Sequence, residues 1–369
     1  MATFLERFET SGSGPRLAVK DLIDMEGLPT TAACKAVAEA AKPAERDAPL
    51  LAGARAAGAR IVGKVNLHEL ALGTTGVNPW FGTPVNPLDP DLVPGGSSSG
   101  SAVAVGSGEA DVAYGSDTGG SVRTPSACCG TTGLKTTWGR IPLEGVWLLS
   151  ESLDTVGPMA RDVAGVIVGM ELLEPGFQVS DDTPRTVGRL RVAGVDPAID
   201  AAVDRALAAA EVEVVAIDLP GWDDSRAPAG AVLIAEAYAN DRQWLETDGV
   251  GDDVRFLLGL GGEITADQLA EAKDQLAVWR SEVVAAFQRV EAIAAPTLKM
   301  FPPRIDAPPD LAMADLALPV NAAGVPSLAL PVPADDRLPA SIQLIGPHNS
   351  EERLLALGRV VEAAAQAYS

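Results

Sequence analysis

The chain has 369 residues, 47% hydrophobic and 21% charged, with 37 glycines and 28 prolines, too apolar and too low in Gly plus Pro for a low-complexity or disordered chain. Fifty acidic against 28 basic residues leave a formal charge of −22, a field that repels phosphate backbones and anionic lipid surfaces, so nucleic acid and membrane are poor partners. Three cysteines (Cys34, Cys128, Cys129) and two histidines (His68, His348) show neither a disulfide framework nor zinc-ligand spacing, and no metal or cofactor is expected. Glu6, Arg7 and Glu9 interrupt the apolar run that a signal peptide requires, and no run of about 18 apolar residues follows. A cytoplasmic location is expected.

In chain order, residues 16–23 read as a strand carrying one lysine, Lys20, in an apolar run. Residues 49–59 read as a helix and 60–65 as a strand, an α-then-β step. Residues 85–101 are loop-like, and the apolar segment from Ala102 reads as a helix because a Gly/Ser-rich loop commonly runs into a helix start. Further on come a helix over 199–210, a buried strand over 212–218, and helices over 229–247 and 265–291. A strand over 292–297 enters a loop carrying Pro302, Pro303, Pro308 and Pro309, and residues 351–367 close the chain as a helix. With no repeat, charge block or long linker, the expectation is one α/β domain over 1–369, a central mixed twisted sheet flanked by helices on both faces.

The most informative stretch is Pro94-Gly-Gly-Ser-Ser-Ser-Gly-Ser-Ala, followed by Tyr114-Gly-Ser-Asp-Thr-Gly-Gly-Ser-Val-Arg. A single Ser/Gly run is often a flexible linker. Both runs here lie between apolar segments and place hydroxyls and backbone N–H groups beside a helix start, where glycine allows the close approach that an oxyanion site needs. A serine attacks an amide only when something removes its proton, and the usual remover is histidine. His68 reads as a capped or partly buried imidazole and His348 as a solvent-facing turn residue, so another base is required. A buried lysine can serve, because desolvation lowers its pKa from about 10.4 toward 7. Lys20 is the candidate, against the alternative that it snorkels from a strand end to water.

The segments Leu17-Ala-Val-Lys-Asp-Leu-Ile-Asp-Met-Glu-Gly, Gly95-Gly-Ser-Ser-Ser-Gly-Ser-Ala, Gly115-Ser-Asp-Thr-Gly-Gly-Ser-Val-Arg-Thr-Pro and Ser152-Leu-Asp-Thr-Val-Gly-Pro-Met-Ala-Arg together resemble the amidase signature family. Asn321-Ala-Ala-Gly-Val-Pro-Ser and Gln343-Leu-Ile-Gly-Pro-His-Asn-Ser resemble its closing segments, so the likeness spans roughly 15–365 and is weakest between about 175 and 290. The resemblance implies the family's α/β fold and a Ser-Ser-Lys triad, with Ser121 as nucleophile, Ser97 as bridging serine after a cis peptide bond, and Lys20 as base. It places the oxyanion hole at the backbone N–H groups of Thr118, Gly119, Gly120 and Ser121. The implied reaction cleaves a carboxamide to a carboxylic acid and ammonia or an amine, the expected substrate being small or aryl-substituted. The base at position 20 stands earlier than is usual in the family, whose N-terminal helices are expected to be largely absent, and a homodimer stays open.

Around this core, Asp117 and Arg123 read as an ion pair bracing the nucleophile's turn, and Asp154 and Arg161 as bracing the same loops. Cys128 and Cys129 read as small packing hydrophobes. Trp147-Leu-Leu and Met300-Phe-Pro-Pro are candidates for an apolar acyl pocket. Two rivals remain. Gly96-Ser-Ser-Ser-Gly fits a nucleophile elbow with Ser98 and His348, which requires a strand running into the turn. An ammonia-producing subunit of a tRNA-dependent amidotransferase shares the same motifs, although the strong negative charge disfavours docking to a tRNA-bound partner.

Overall fold

The computed structural model describes residues 2–307, 311–335 and 338–367; Pro308 and Pro309 of the expected proline-rich loop lie outside the described residues. The strands are β1 (Phe4–Arg7), β2 (Arg16–Lys20), β3 (Arg60–Val65), β4 (Val112–Asp117), β5 (Thr132–Lys135), β6 (Thr155–Ala160), β7 (Thr186–Leu190), β8 (Glu213–Ile217), β9 (Ala292–Pro296), β10 (Ser327–Val332) and β11 (Ala340–Ile345). The helices are α1 (Lys35–Ala40), α2 (Ala52–Ala56), α3 (Ser99–Gly106), α4 (Arg123–Cys129), α5 (Val163–Leu173), α6 (Pro197–Ala209), α7 (Gly221–Asp224), α8 (Arg226–Asp241), α9 (Asp252–Gly262), α10 (Ala266–Ala286), α11 (Leu318–Ala323) and α12 (Glu351–Gln366).

The strands form one mixed sheet in the order β1-β3-β2-β4-β6-β5-β10-β11-β9-β7-β8. β3, β2 and β4 run parallel inside the antiparallel edge strand β1, and β9, β7 and β8 run parallel at the other end, with antiparallel pairs between the two groups. Side chains alternate across the sheet. Leu17 and Val19 of β2, Leu328 and Leu330 of β10, and Ile342 and Leu344 of β11 pack in one core with Val163 and Val166 of α5, Ile199 of α6 and Leu355 of α12. Ala18 and Ala113 face the other way, into a core with Ala102 to Val105 of α3 and Val122, while Ile293 and Ile345 meet residues of α8, α10 and α11. The expected mixed sheet with helices on both faces is what the chain forms. Lys20 follows Ala18 by two residues and therefore lies on the α3 and α4 side, at the end where parallel strands β2, β3 and β4 all deliver their C-termini.

Local chemistry sets the element ends. α10 opens with a capping box in which Thr265 accepts from the Gln268 amide and the Gln268 side chain accepts from the Thr265 amide. α4 ends at Gly130, whose φ of 63° a side chain would resist. β2 stops at Lys20, three residues before its expected end, because the amides of Leu22 and Ile23 turn back onto the Lys20 carbonyl at 2.7 and 3.1 Å. The expected buried strand over 212–218 is instead the sheet's edge strand β8, with Glu213, Val214 and Ala216 exposed; its apolar run reflects β propensity rather than burial. The expected helix over 229–247 starts earlier, at Arg226, and yields after Asp241 to a short 3-10 turn, Arg242–Trp244. Among the described residues no helix is long and apolar enough to cross a membrane.

Truncation tests this layering. Leu330→Ala, at a fully buried position, should lower the unfolding free energy by about 2–5 kcal/mol, and Val214→Ala on the exposed edge should change it by within about 0.5 kcal/mol, both read from urea denaturation.

Candidate active site

Lys20 is the last residue of β2 and is fully buried. Its Nζ donates to Ser97 Oγ at 2.8 Å, Ser98 Oγ at 2.9 Å and Ser116 Oγ at 2.8 Å. Burial pulls the ammonium down to about 7, against the opposing pull of the Asp117 and Asp154 carboxylates. An ammonium has three protons for three hydroxyls, whereas the neutral amine has two protons and a lone pair, so on deprotonation one hydroxyl must turn and donate to nitrogen. The Ser98 hydroxyl already donates to the Ser116 carbonyl at 3.1 Å, which leaves Ser97 and Ser116 as the hydroxyls able to reverse.

The two Ser/Gly turns converge as expected. The Gly96–Ser97 peptide bond is cis. The Gly96 amide donates to the Thr74 carbonyl at 2.7 Å, the His68 amide to the Ser97 carbonyl at 3.0 Å, and the Ser98 amide to the Ser121 carbonyl at 3.1 Å. That last bond ties the first turn to the second. Two glycines make the approach possible: a Cβ on Gly115 would stand 2.8 Å from Ser98 Oγ, and one on Gly120, whose φ is 118°, would stand 2.5 Å from Ala317 Cβ.

The second turn is built around Asp117, which closes β4. Its carboxylate accepts from the amides of Gly120 at 2.8 Å and Val122 at 3.1 Å and pairs with Arg123 through Nη2 at 3.0 Å and Nε at 3.1 Å. Although burial opposes it, Arg123, Lys135 and Asn321 hold this carboxyl well below the usual carboxylate range. Arg123 reaches further, to Asn321 Oδ1 at 2.5 Å, Gln343 Oε1 at 3.0 Å and the Ala317 carbonyl at 3.1 Å. The bracing pair inferred from the sequence is therefore the centre of a buried clamp.

A cavity of about 400 Å³ opens over this turn, with Thr118, Gly119 and Ser121 in its floor. Ser121 is nearly buried, 8% exposed. Gly120 stands apart from the other residues of the expected oxyanion hole: it does not line the cavity, and its amide is engaged by Asp117.

A model of the family described as Amidase matches residues 14–355. The chain belongs to the amidase family. It is 34% identical to a glutamyl-tRNA(Gln) amidotransferase subunit of Halobacterium salinarum, over 95% of each chain. A crystal structure of an amidase superposes with a TM-score of 0.88 at 31% identity, covering 95% of this chain and 84% of that one. The structure of the corresponding glutamyl-tRNA(Gln) amidotransferase subunit from Thermotoga maritima superposes with a TM-score of 0.86 at 27% identity, covering 97% and 86%.

In this amidase-family chain the elbow rival fails. Residues 85–95 form no strand, apart from one isolated bridge at Leu92, because Pro84, Pro87, Pro90 and Pro94 remove the donors a ladder needs. Ser98 is buried beneath the cavity floor, and His348 is exposed. His68 is buried at the start of a short 3-10 turn without a side-chain capping bond, its Nε2 3.2 Å from Asp253. Cys128 and Cys129 are free and buried, and burial pushes both thiols up, which fits packing.

Asp154 braces the loops as expected, accepting from Thr118 Oγ1 at 2.5 Å and from the Leu149 and Ser150 amides at 2.8 and 3.0 Å; burial raises it to about 6. Arg161 does not. In the β4–β6 ladder Thr155 pairs with Asp117 but Ala160 pairs with Val112, so Arg161 emerges exposed at the far end of the strand. Of the acyl-pocket candidates, Leu149 lines the cavity, whereas Met300 to Pro302 line a separate small crevice. Sequence reasoning missed Ser116, Asn321 and Gln343. Gln343 had a signal, a single amide in the apolar alternation of Ile342, Leu344 and Ile345. Leu233 and Leu257 in the cavity wall had none beyond helical periodicity.

The clamp and its neighbour give a test. Arg123→Ala leaves Asp117 buried without its partner and should lower stability by about 3–5 kcal/mol, whereas Arg161→Ala should stay within about 0.5 kcal/mol, both measured by equilibrium denaturation.

Proposed function

We propose that this chain hydrolyses the C–N bond of a carboxamide through an acyl-enzyme on Ser121. The observation that carries the reading is the Lys20 amine, fully buried, meeting serine hydroxyls, with Ser97 at 2.8 Å. Neutral Lys20 takes the proton of Ser97 as Ser97 takes that of Ser121, and Ser121 Oγ bonds to the carbonyl carbon. The amides of Thr118, Gly119 and Ser121 at the cavity floor receive the oxyanion, while the Gly120 amide stays with Asp117 and holds the turn in shape. Collapse breaks the C–N bond as the proton returns through Ser97 to the departing nitrogen, releasing ammonia or an amine. Water, deprotonated along the same route, then attacks the acyl carbon and frees the carboxylic acid and Ser121.

A second reading is favoured by the relatives that are glutamyl-tRNA(Gln) amidotransferase subunits: the same chemistry on glutamine, with the ammonia passed to another protein of the complex. Glutamine turnover by the purified chain, increased when such a partner protein is added, supports that reading. Turnover of simple amides by the chain alone supports the first.

Lys20→Ala and Ser121→Ala should each lower kcat/KM by at least about 10²–10⁴, and a fluorophosphonate should label Ser121 in the native chain. Labelling or turnover that survives Ser121→Ala overturns the assignment. Lys20 is a base only when uncharged, so kcat/KM should rise with pH through about 7 and level off above it. The rise should vanish in any residual activity of Lys20→Ala.

A further inference from the structure

We infer that the substrate's acyl part is an uncharged aliphatic or aryl group of about six to eight carbons, and that the cavity excludes free α-amino acids such as glutamine. The inference rests on Ser121 acylation as proposed above, and names what is acylated.

The cavity wall opposite the serine turn is aliphatic. Leu72, Leu149, Leu233, Ile234, Leu257 and Leu318 line it, drawn from two loops, α8, α9 and the start of α11. The apolar wall comes down to the reacting centre: a Cβ placed on Gly119 would stand 3.3 Å from Leu233 Cδ1 and 3.4 Å from Leu318 Cδ1. A carbon chain leaving the carbonyl attached to Ser121 therefore passes between leucines from its first atoms. At about 400 Å³ the space lies within the range of small-molecule sites and suits a hexanoyl or phenylacetyl group.

Two charged residues line this cavity among the described residues, Arg226 and Asp315. They serve each other. Arg226 Nη1 lies 2.7 Å from Asp315 Oδ2, and the same oxygen accepts from Lys299 Nζ at 2.9 Å, while Asp223 stands 3.6 Å from Arg226. An α-amino acid brings an ammonium and a carboxylate that must both be matched on leaving water. Matching them here means breaking a network of two cations and two carboxylates that already balances. An uncharged acyl chain asks for nothing beyond burial, which favours binding by about fourfold for each methylene covered.

The test is ammonia release by the purified chain from acetamide, butanamide, hexanamide, phenylacetamide and L-glutamine, with Ser121→Ala as blank. kcat/KM should rise about fourfold per methylene up to hexanamide, and glutamine should fall at least about 100-fold below hexanamide. Leu233→Asn and, on the neighbouring helix, Leu257→Asn should each cut the hexanamide-to-acetamide ratio at least about tenfold, and Leu233→Met should restore it. The ratio is taken within one protein, so partial misfolding cancels. A flat series, or glutamine as good as hexanamide, overturns this inference while leaving Ser121 chemistry in place. Hydrolysis that is equal in the Ser121→Ala blank overturns both.

Discussion

The whole site depends on keeping one amine dry. Three lysines are buried near the sheet's C-terminal edge, and their neighbours differ. Lys64 on β3 meets the Asp21 carboxylate at 2.6 Å. Lys135 on β5 donates to the Thr136 carbonyl at 2.8 Å, and burial, with Arg123 nearby, pulls it down to about 7. Lys20 alone of the three is ringed by serine hydroxyls. A carboxylate in contact would hold it charged; hydroxyls solvate either form and can exchange protons with it.

Holding three hydroxyls round a buried nitrogen requires the first serine turn to stay put against the end of β4, and that constraint explains the density of polar bonds beneath the cavity. Asp117 fixes the second turn through its amides and Arg123, and Arg123 fastens the turn to Asn321 and Gln343, some two hundred residues further along the chain. Asn321 completes the loop by donating to Asp117 itself at 2.8 Å. Charged groups buried this way contribute little net stability against an apolar alternative, but removing one member leaves its partner stranded. Their effect is to restrict the turn to one shape.

The cavity divides into a floor and a wall of different character. The floor comes from Gly96 of the first serine turn and Thr118, Gly119 and Ser121 of the second, resting on the bonds that Lys20 and Asp117 make beneath it. The wall comes from α8, α9 and α11, where leucines need only be apolar and of suitable size. The matched relatives share the scaffold along nearly the whole chain, yet an aliphatic wall can be repacked without touching the floor.

The residue types of the two serine turns were legible in the sequence as hydroxyls and glycines, with a lysine in an apolar strand as the candidate base, and the resemblance to the family's motifs implied the roles proposed for them. The apolar runs of β2 and β9 and the amphipathic closing helix were legible too, because apolar character and burial coincide there. β8 misled because an apolar run has the same appearance at an edge as in a core. What only tertiary structure decided was which distant groups meet: Gln343 and Asn321 with Arg123, Asn321 with Asp117, Leu233 and Leu318 with Gly119. Local sequence specifies strand, turn and helix through near-neighbour forces, but the partner of a buried polar group is whichever chain segment the sheet order brings opposite it, and that order is a property of the whole fold.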